Sequence, residues 1–354
     1  MQCAGWTACA GKPDEAGDPG APVKAAPGGG VDADALLRAM PVVFVLIWST
    51  GFVVARYGMP HAPPLGFLAT RYGLSALCFA LWVLLARVAW PPSRAQWGHL
   101  AVTGVLLHAG YLGGVWVAVK MGLGAGLAAL IVGLQPVLTA LWLSQSLHDE
   151  RASKRQWLGL VLGLAGLLLV VWHKLGVGEA GWASVGSACV ALLSITAGTL
   201  YQKRWVAACD VRSANLVQLL AALAVTLPFA LIEAGSAWGH VDWHPELFGA
   251  MAWSVLVLTL GGSSLLFLLI QRGAATRVTS LMYLVPPCTA LLAWLLFDES
   301  LAPTVLAGLV LSALGVALVV RSSAASSANR SASSPAASPP GAQADASTPS
   351  RPPR

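Results

Sequence analysis

The chain is written in long apolar runs separated by short polar ones. Stretches of about 20 apolar residues, the length a helix needs to cross a hydrocarbon core of roughly 30 Å, recur along it. They lie near 39–57, 64–86, 97–117, 123–147 and 156–173, and again near 182–202, 213–233, 247–270, 278–297 and 302–320. Runs such as Trp157 to Val171 are apolar all round, without the alternation of a transmembrane β-strand. The pattern predicts an all-α polytopic membrane protein with ten transmembrane helices. Both ends read differently: residues 1–35 are rich in Gly, Ala, Pro and Asp, and 322–354 in Ser, Ala and Pro. Neither stretch buries enough apolar surface to order itself, so both are expected to be disordered tails. The first also lacks a basic region followed by an apolar core, so the first span is expected to direct insertion.

The apolar pattern occurs twice. Pro136-Val137-Leu138-Thr139-Ala140 is followed by Glu150, Gly159, Gly166 and Val170-Val171; 150 residues on, Pro286-Pro287-Cys288-Thr289-Ala290 is followed by Glu299, Gly308, Gly315 and Val319-Val320. Arg151, Lys154 and Arg155 follow Glu150, whereas Ser300 to Thr304, after Glu299, hold no cation. Cationic loops stay in the cytoplasm. The copies are therefore expected to lie upside down relative to one another, as two inverted five-helix repeats over 36–174 and 182–321. Inverted repeats are the architecture of many secondary transporters, with the substrate site between the halves.

Composition agrees: 56% of residues are hydrophobic and 10% charged, with a mean hydropathy of +0.70. With both ends inside, the expected cytoplasmic segments hold 17 of the 21 Lys and Arg; the opposite face has Arg56, Lys120 and Lys174, and Arg71 lies between. That favours N-in, C-in. The net charge of +6 is thereby a topology signal, since cations scattered over short loops do not make a nucleic-acid surface. The six cysteines, three inside spans and three without metal-ligand spacing, read as thiols.

At this point the chain resembles the EamA type of the drug/metabolite transporter superfamily. The resemblance covers roughly 39–321 and is carried by Trp48-Ser49-Thr50-Gly51-Phe52, by Pro64 followed by Arg71, and by the twice-used Pro-Glu-Gly-Gly pattern. It implies a ten-helix basket with a central cavity among spans one, three, four, six, eight and nine. It further implies alternating access for small organic metabolites, often outward, across a bacterial cytoplasmic (inner) membrane. No cofactor is called for, and the expected partners are a small-molecule substrate and the lipid bilayer, with no nucleic acid, for a monomer or homodimer.

Polar and aromatic residues inside these spans are the candidate substrate-binding set. His108 and Tyr111 are three apart on one helical face; His108 either meets cargo or bonds a backbone carbonyl. Gln135 beside Pro136, and Tyr283 before Pro286 and Pro287, mark two helix breaks in corresponding places. Such breaks either expose polar backbone to a substrate or kink helices for packing. Trp48 lies midway along its span, too deep for an interfacial belt. Tyr201 and Ser194 share a face, and Ser263 and Ser264 follow Gly261-Gly262. Arg71, two turns inside its span, either snorkels to the outer interface or gates and holds an anionic group. Gly159, Gly163 and Gly166, with Gly308, Ser312 and Gly315, read as a seam between repeats or between two copies. Glu150 and Glu299 read as structural residues at the membrane edge.

The absences narrow the function. No Asp or Glu occurs from Ala35 to His148, and the remaining acids fall at helix ends or in loops. A carrier of permanent cations would want a buried carboxylate. Neutral or zwitterionic cargo, such as amino acids or related metabolites, is therefore expected; the alternative is a multidrug or anionic-metabolite exporter of the same superfamily, with anions held through Arg71. A membrane-embedded enzyme is the rival class, but no Gly-x-Ser-x-Gly, His-Glu-x-x-His or paired intramembrane carboxylates occur. Of the histidines, which normally titrate near neutrality, His108 is the one that lies deep inside a span. Either it carries a coupling proton or transport is facilitated diffusion.

Overall fold

The computed structural model describes residues 33–146, 154–176, 178, 180–237, 239–262, 264–265 and 284–333. Ser263, Tyr283 and Glu150, most of the first tail and residues 334–354 of the second lie outside the described residues. Among the described residues every regular element is helical. The first half runs α1 Ala33–Gly58, α2 Pro64–Leu85, α3 Arg94–Lys120, α4 Ala125–Val132, α5 Gln135–Ser146 and α6 Lys154–Gly176. The second runs α7 Trp182–Trp205, α8 Val211–Ala234, α9 Pro245–Gly261, α10 Val285–Phe297 and α11 Pro303–Ser333. Five stretches are long and apolar enough to cross a membrane: α2, α3, Trp157–Gly176 of α6, α7 and α8. The other apolar stretches, Val42–Gly58, Ala125–Thr139, Pro245–Gly261, Val285–Phe297 and Pro303–Leu318, are shorter, at 10–17 residues.

Three details depart from the sequence expectations. The single span expected over 123–147 is two helices, parted at Gly133 and Leu134, and Pro136 is the second residue of α5. Pro286 and Pro287 likewise lie in the first turn of α10. Proline is well placed there, because a first-turn N–H has no intrahelical partner to lose. These prolines open helices; they do not kink helix interiors. The last helix continues to Ser333, beyond the boundary expected at 321, and the first begins at Ala33.

The most extensive helix pair joins the repeats, α6 against α11. A Cβ on Gly166 would lie 2.5 Å from the Gly308 carbonyl oxygen, and one on Gly315 would lie 2.5 Å from the Gly159 oxygen. Ser312 Oγ donates to the Gly163 oxygen at 3.2 Å. Close backbone approach through small residues is how membrane helices gain packing without a hydrophobic drive. The glycine pattern is therefore a seam within the chain.

Polar side chains tie the helix ends at one end of the bundle. Glu233 accepts from the Leu65 and Gly66 amides, at 2.8 and 3.0 Å, in the first turn of α2. Glu299 Oε1 accepts from the Ala125 amide, 2.8 Å, at the start of α4. Lys120 Nζ donates to the Met59 and Ala62 oxygens, 2.7 and 3.2 Å, just past α1. Each charge meets helix-end groups of the sign that complements it. The α7–α8 connection, with Lys203, Arg204 and Arg212, lies at the opposite, basic end.

Candidate functional site

A cavity of about 390 Å³ lies between the repeats, in the range of small-molecule sites. From the first half, α1 lines it with Trp48, Gly51 and Phe52, α2 with Arg71, and α3 with Leu107, His108, Tyr111, Leu112, Val115 and Trp116. From the second half, α7 gives Ile195, Thr199 and Gln202, α8 gives Val211, Ala214, Asn215 and Gln218, and α9 gives Leu258 and Thr259. Gln202 and Val211 put one end of the cavity beside the α7–α8 connection. Toward the tied end, Trp116 stacks on Phe67 at 4.5 Å, and Met59 and Ala62 are buried.

The backbone explains why these side chains converge. Both α3 and α9 widen into π-helical turns, at Val105–Gly110 and at Trp253–Gly261. Such turns re-aim side chains and are frequent at functional sites. His108 lies in the first and Thr259 in the second. α8 sits hard against α3: a Cβ on Gly104 would fall within 2.5 Å of the Gln218 Cα, so only glycine admits that approach. His108 and Gln218 line the cavity together from α3 and α8, and Tyr72 donates to the His108 carbonyl oxygen at 2.8 Å.

Arg71 decides the electrostatics. It is only 7% exposed, and its Nε and one terminal nitrogen donate to Thr259 Oγ1 at 3.3 and 3.1 Å. Of the two readings of this residue, the snorkelling one fails: the guanidinium turns inward across the repeat interface. No Asp or Glu is among the residues that line the cavity. A buried cation with a hydroxyl and no carboxylate beside it leaves the site electropositive.

The other sequence candidates distribute unevenly. Trp48, His108 and Tyr111 line the cavity with Arg71. Gln135 stands one step behind it, donating to Thr199 Oγ1 at 3.1 Å. Tyr201 is not among the lining residues; its hydroxyl pairs with His99 Nδ1 at 2.9 Å and its ring lies near Trp205. Pro286 and Pro287 line a small crevice with Leu130, Gly133 and Leu134, so the two breaks pack against each other. Among the described residues, spans four and nine, expected around the cavity, contribute no lining residue, whereas α2 and α8 do. Asn215, Gln218 and Thr259 escaped the sequence reading. The signal for the first two was polar residues recurring with Val211 and Ala214 on one face of an apolar helix.

Residues 39–172 and 182–321 each match the EamA-like transporter family. The chain belongs to that family. It is thus an EamA-type member of the drug/metabolite transporter superfamily, a transporter and not an enzyme. Among its relatives, a Bacillus subtilis (strain 168) protein named uncharacterized transporter YvbV is 26% identical over 291 residues, covering 79% of this chain and 90% of the relative. A Salmonella typhimurium (strain LT2) protein named probable amino-acid metabolite efflux pump is 25% identical over 287 residues, covering 79% and 93%. The Escherichia coli (strain K12) inner membrane transporter YedA is 27% identical over 273 residues, covering 75% and 85%. One crystal structure, 17% identical, aligns over 80% of this chain and 97% of its own with a TM-score of 0.55, a likeness of fold. Family and apolar helices together make this a membrane protein.

Proposed function

We propose that the chain exports a small zwitterionic metabolite, an amino acid or close relative, by alternating access across the cytoplasmic membrane of a bacterium. The observation that carries this reading is Arg71, a buried guanidinium in an acid-free cavity. A guanidinium binds a carboxylate through paired, charge-assisted hydrogen bonds. A cargo carboxylate thus supplies the counter-charge that the protein withholds, and the Gln218, Asn215 and Tyr111 side of the cavity accommodates the neutral or ammonium part. The names of the Salmonella relative and its Escherichia coli counterpart as probable amino-acid metabolite efflux pumps support the same class. In this reading ten spans form two inverted repeats with both ends in the cytoplasm. The basic end is then cytoplasmic, and the cavity reaches toward the side from which an exporter loads.

The test is a competition panel in vesicles containing the purified protein. Amino acids should compete for flux, and their decarboxylated amines should compete at least 10-fold less well. Amines that compete as well as the parent amino acids would overturn the reading. Carboxylates lacking the amine distinguish an anion exporter, which accepts them in preference to the zwitterions.

A further inference from the structure

At the tied end, four side chains from two connections form a cluster that the cavity does not use. His61 comes from the α1–α2 connection, and Asp242, His244 and Glu246 from the α8–α9 connection and the first turn of α9. His61 Nε2 lies 3.0 Å from Glu246 Oε2, and His244 Nδ1 lies 3.8 Å from the same oxygen. The ligand atoms of His61, His244 and Glu246 all fall within 4.8 Å of one another. Asp242 Oδ2 is 3.0 Å from His61 Nδ1. From these positions we infer a divalent-metal site, suited to Zn²⁺, with His61, His244 and Glu246 as ligands and Asp242 orienting His61.

The chemistry fits each part. A tetrahedral Zn²⁺ with ligands at 2.0–2.2 Å sets ligand atoms about 3.3 Å apart, and small side-chain adjustments bring the observed spacings there. Two imidazoles and one carboxylate are a common three-ligand set that leaves a fourth position for water. A carboxylate on the far nitrogen of a ligating imidazole fixes the tautomer and raises its basicity; with the proton held on Nδ1 toward Asp242, the Nε2 lone pair faces Glu246 and His244. The His61 and His244 rings are stacked, with centroids 4.7 Å apart and planes 5° from parallel. An imidazole ligates a metal in the plane of its own ring, so ligation by both requires the exposed His244 ring to rotate out of this stack.

The frame is set before any metal arrives. The Asp242 amide donates to the His61 oxygen and the His244 amide to the Asp242 oxygen, each at 2.8 Å. His244 caps α9, with Pro245 next. On the other side, the Lys120 bonds to Met59 and Ala62 hold the connection that carries His61. Asp242 and Glu246 are exposed, so an ion enters from solvent. Bound metal joins a connection of the first repeat to one of the second at the tied end.

Zinc titration of the purified, detergent-solubilised chain against a chromophoric chelator tests this without any transport. One Zn²⁺ per chain should bind, with affinity falling at least 10-fold in His61→Ala and again in His244→Ala. The Co²⁺-loaded protein should show the visible absorption of a tetrahedral site. Zn²⁺ should also raise the thermal unfolding midpoint of the wild type and leave that of both variants unchanged. His240→Ala, in the same connection but outside the ligand set, should bind as the wild type does. Equal affinity in the wild type and the two ligand variants, or a loss confined to His240→Ala, would overturn the site. Circular dichroism of the variants, expected to match the wild type, separates a lost ligand from a lost fold; a variant that unfolds is replaced by Glu246→Gln, for which the same 10-fold loss is required.

Discussion

Arg71 and Gln218 occupy the same place in two copies of one design, and they bring opposite chemistry to it. Arg71 is the eighth residue of α2 and Gln218 the eighth of α8, the second helix of each repeat. Each reaches across to the third helix of the other repeat: Arg71 to Thr259, the fifteenth residue of α9, and Gln218 to His108, the fifteenth of α3. Both third helices carry π-helical turns at that level. The scaffold is thus duplicated down to the positions of individual facing residues. The charge is not. One pole of the cavity bears a fixed cation, whereas the other bears an amide facing an imidazole. Under the proposed function, a site built from two like halves becomes able to tell the two ends of a cargo apart.

Removing the cation should have the largest effect on that distinction. Arg71→Gln turns the pair Arg71–Thr259 into a near copy of the opposite pole. A hydrogen bond to a charged group is worth about 1.5–3 kcal/mol, so apparent affinity for carboxylate cargo should fall roughly 10- to 100-fold. Protein yield and thermal stability should hold, because the variant also relieves a buried charge. Competition by decarboxylated amines should rise in parallel. An unchanged cargo profile in Arg71→Gln would show that the cation does not read the cargo.

A smaller loss is expected at the hydroxyl that positions the guanidinium. Thr259→Val keeps the shape and deletes the acceptor of both Arg71 bonds. One such bond contributes about 1 kcal/mol, which amounts to roughly a 5-fold rise in half-saturating cargo concentration. The change should be absent in the Arg71→Gln background, since the hydroxyl acts through Arg71. Equal losses in both backgrounds would mean that Thr259 touches cargo by itself.

Which of these residues stand out in the sequence follows from how much each departs from an apolar helix. Trp48, Arg71, His108 and Tyr111 are large or ionisable exceptions deep in apolar runs, legible without any structure, and all four line the cavity. Asn215, Gln218 and Thr259 are neutral polar residues of a kind that membrane helices also use simply to bond one another, and only their convergence marks them. The duplication, the helix breaks and the glycine seam were legible as spacings. Direction was not. Periodicity states which residues share a face, but the face turned to the cavity depends on helix–helix close approaches such as Gly104 against Gln218. For that reason Pro286 meets Gly133 and is not among the residues that line the cavity.

Tyr201 gives the smallest expected effect and the sharpest check on that last point. By composition it belongs with Tyr111, a phenol inside an apolar helix. In the structure Tyr111 is buried at the cavity wall, whereas Tyr201 faces the basic end, paired with His99 and close to Trp205. Tyr201→Phe removes one partly exposed hydrogen bond and leaves the ring contacts, and His99 regains water as a partner, so flux should change less than 2-fold and stability by under about 1 kcal/mol. Tyr111→Phe removes a hydroxyl from the wall of the proposed cargo site, and it should lower flux several-fold with the fold intact. If the two variants instead lose flux equally, the phenol at 201 reaches cargo in another conformation of the transport cycle, and the cavity wall drawn through α7 between Thr199 and Gln202 describes one state of the cycle only.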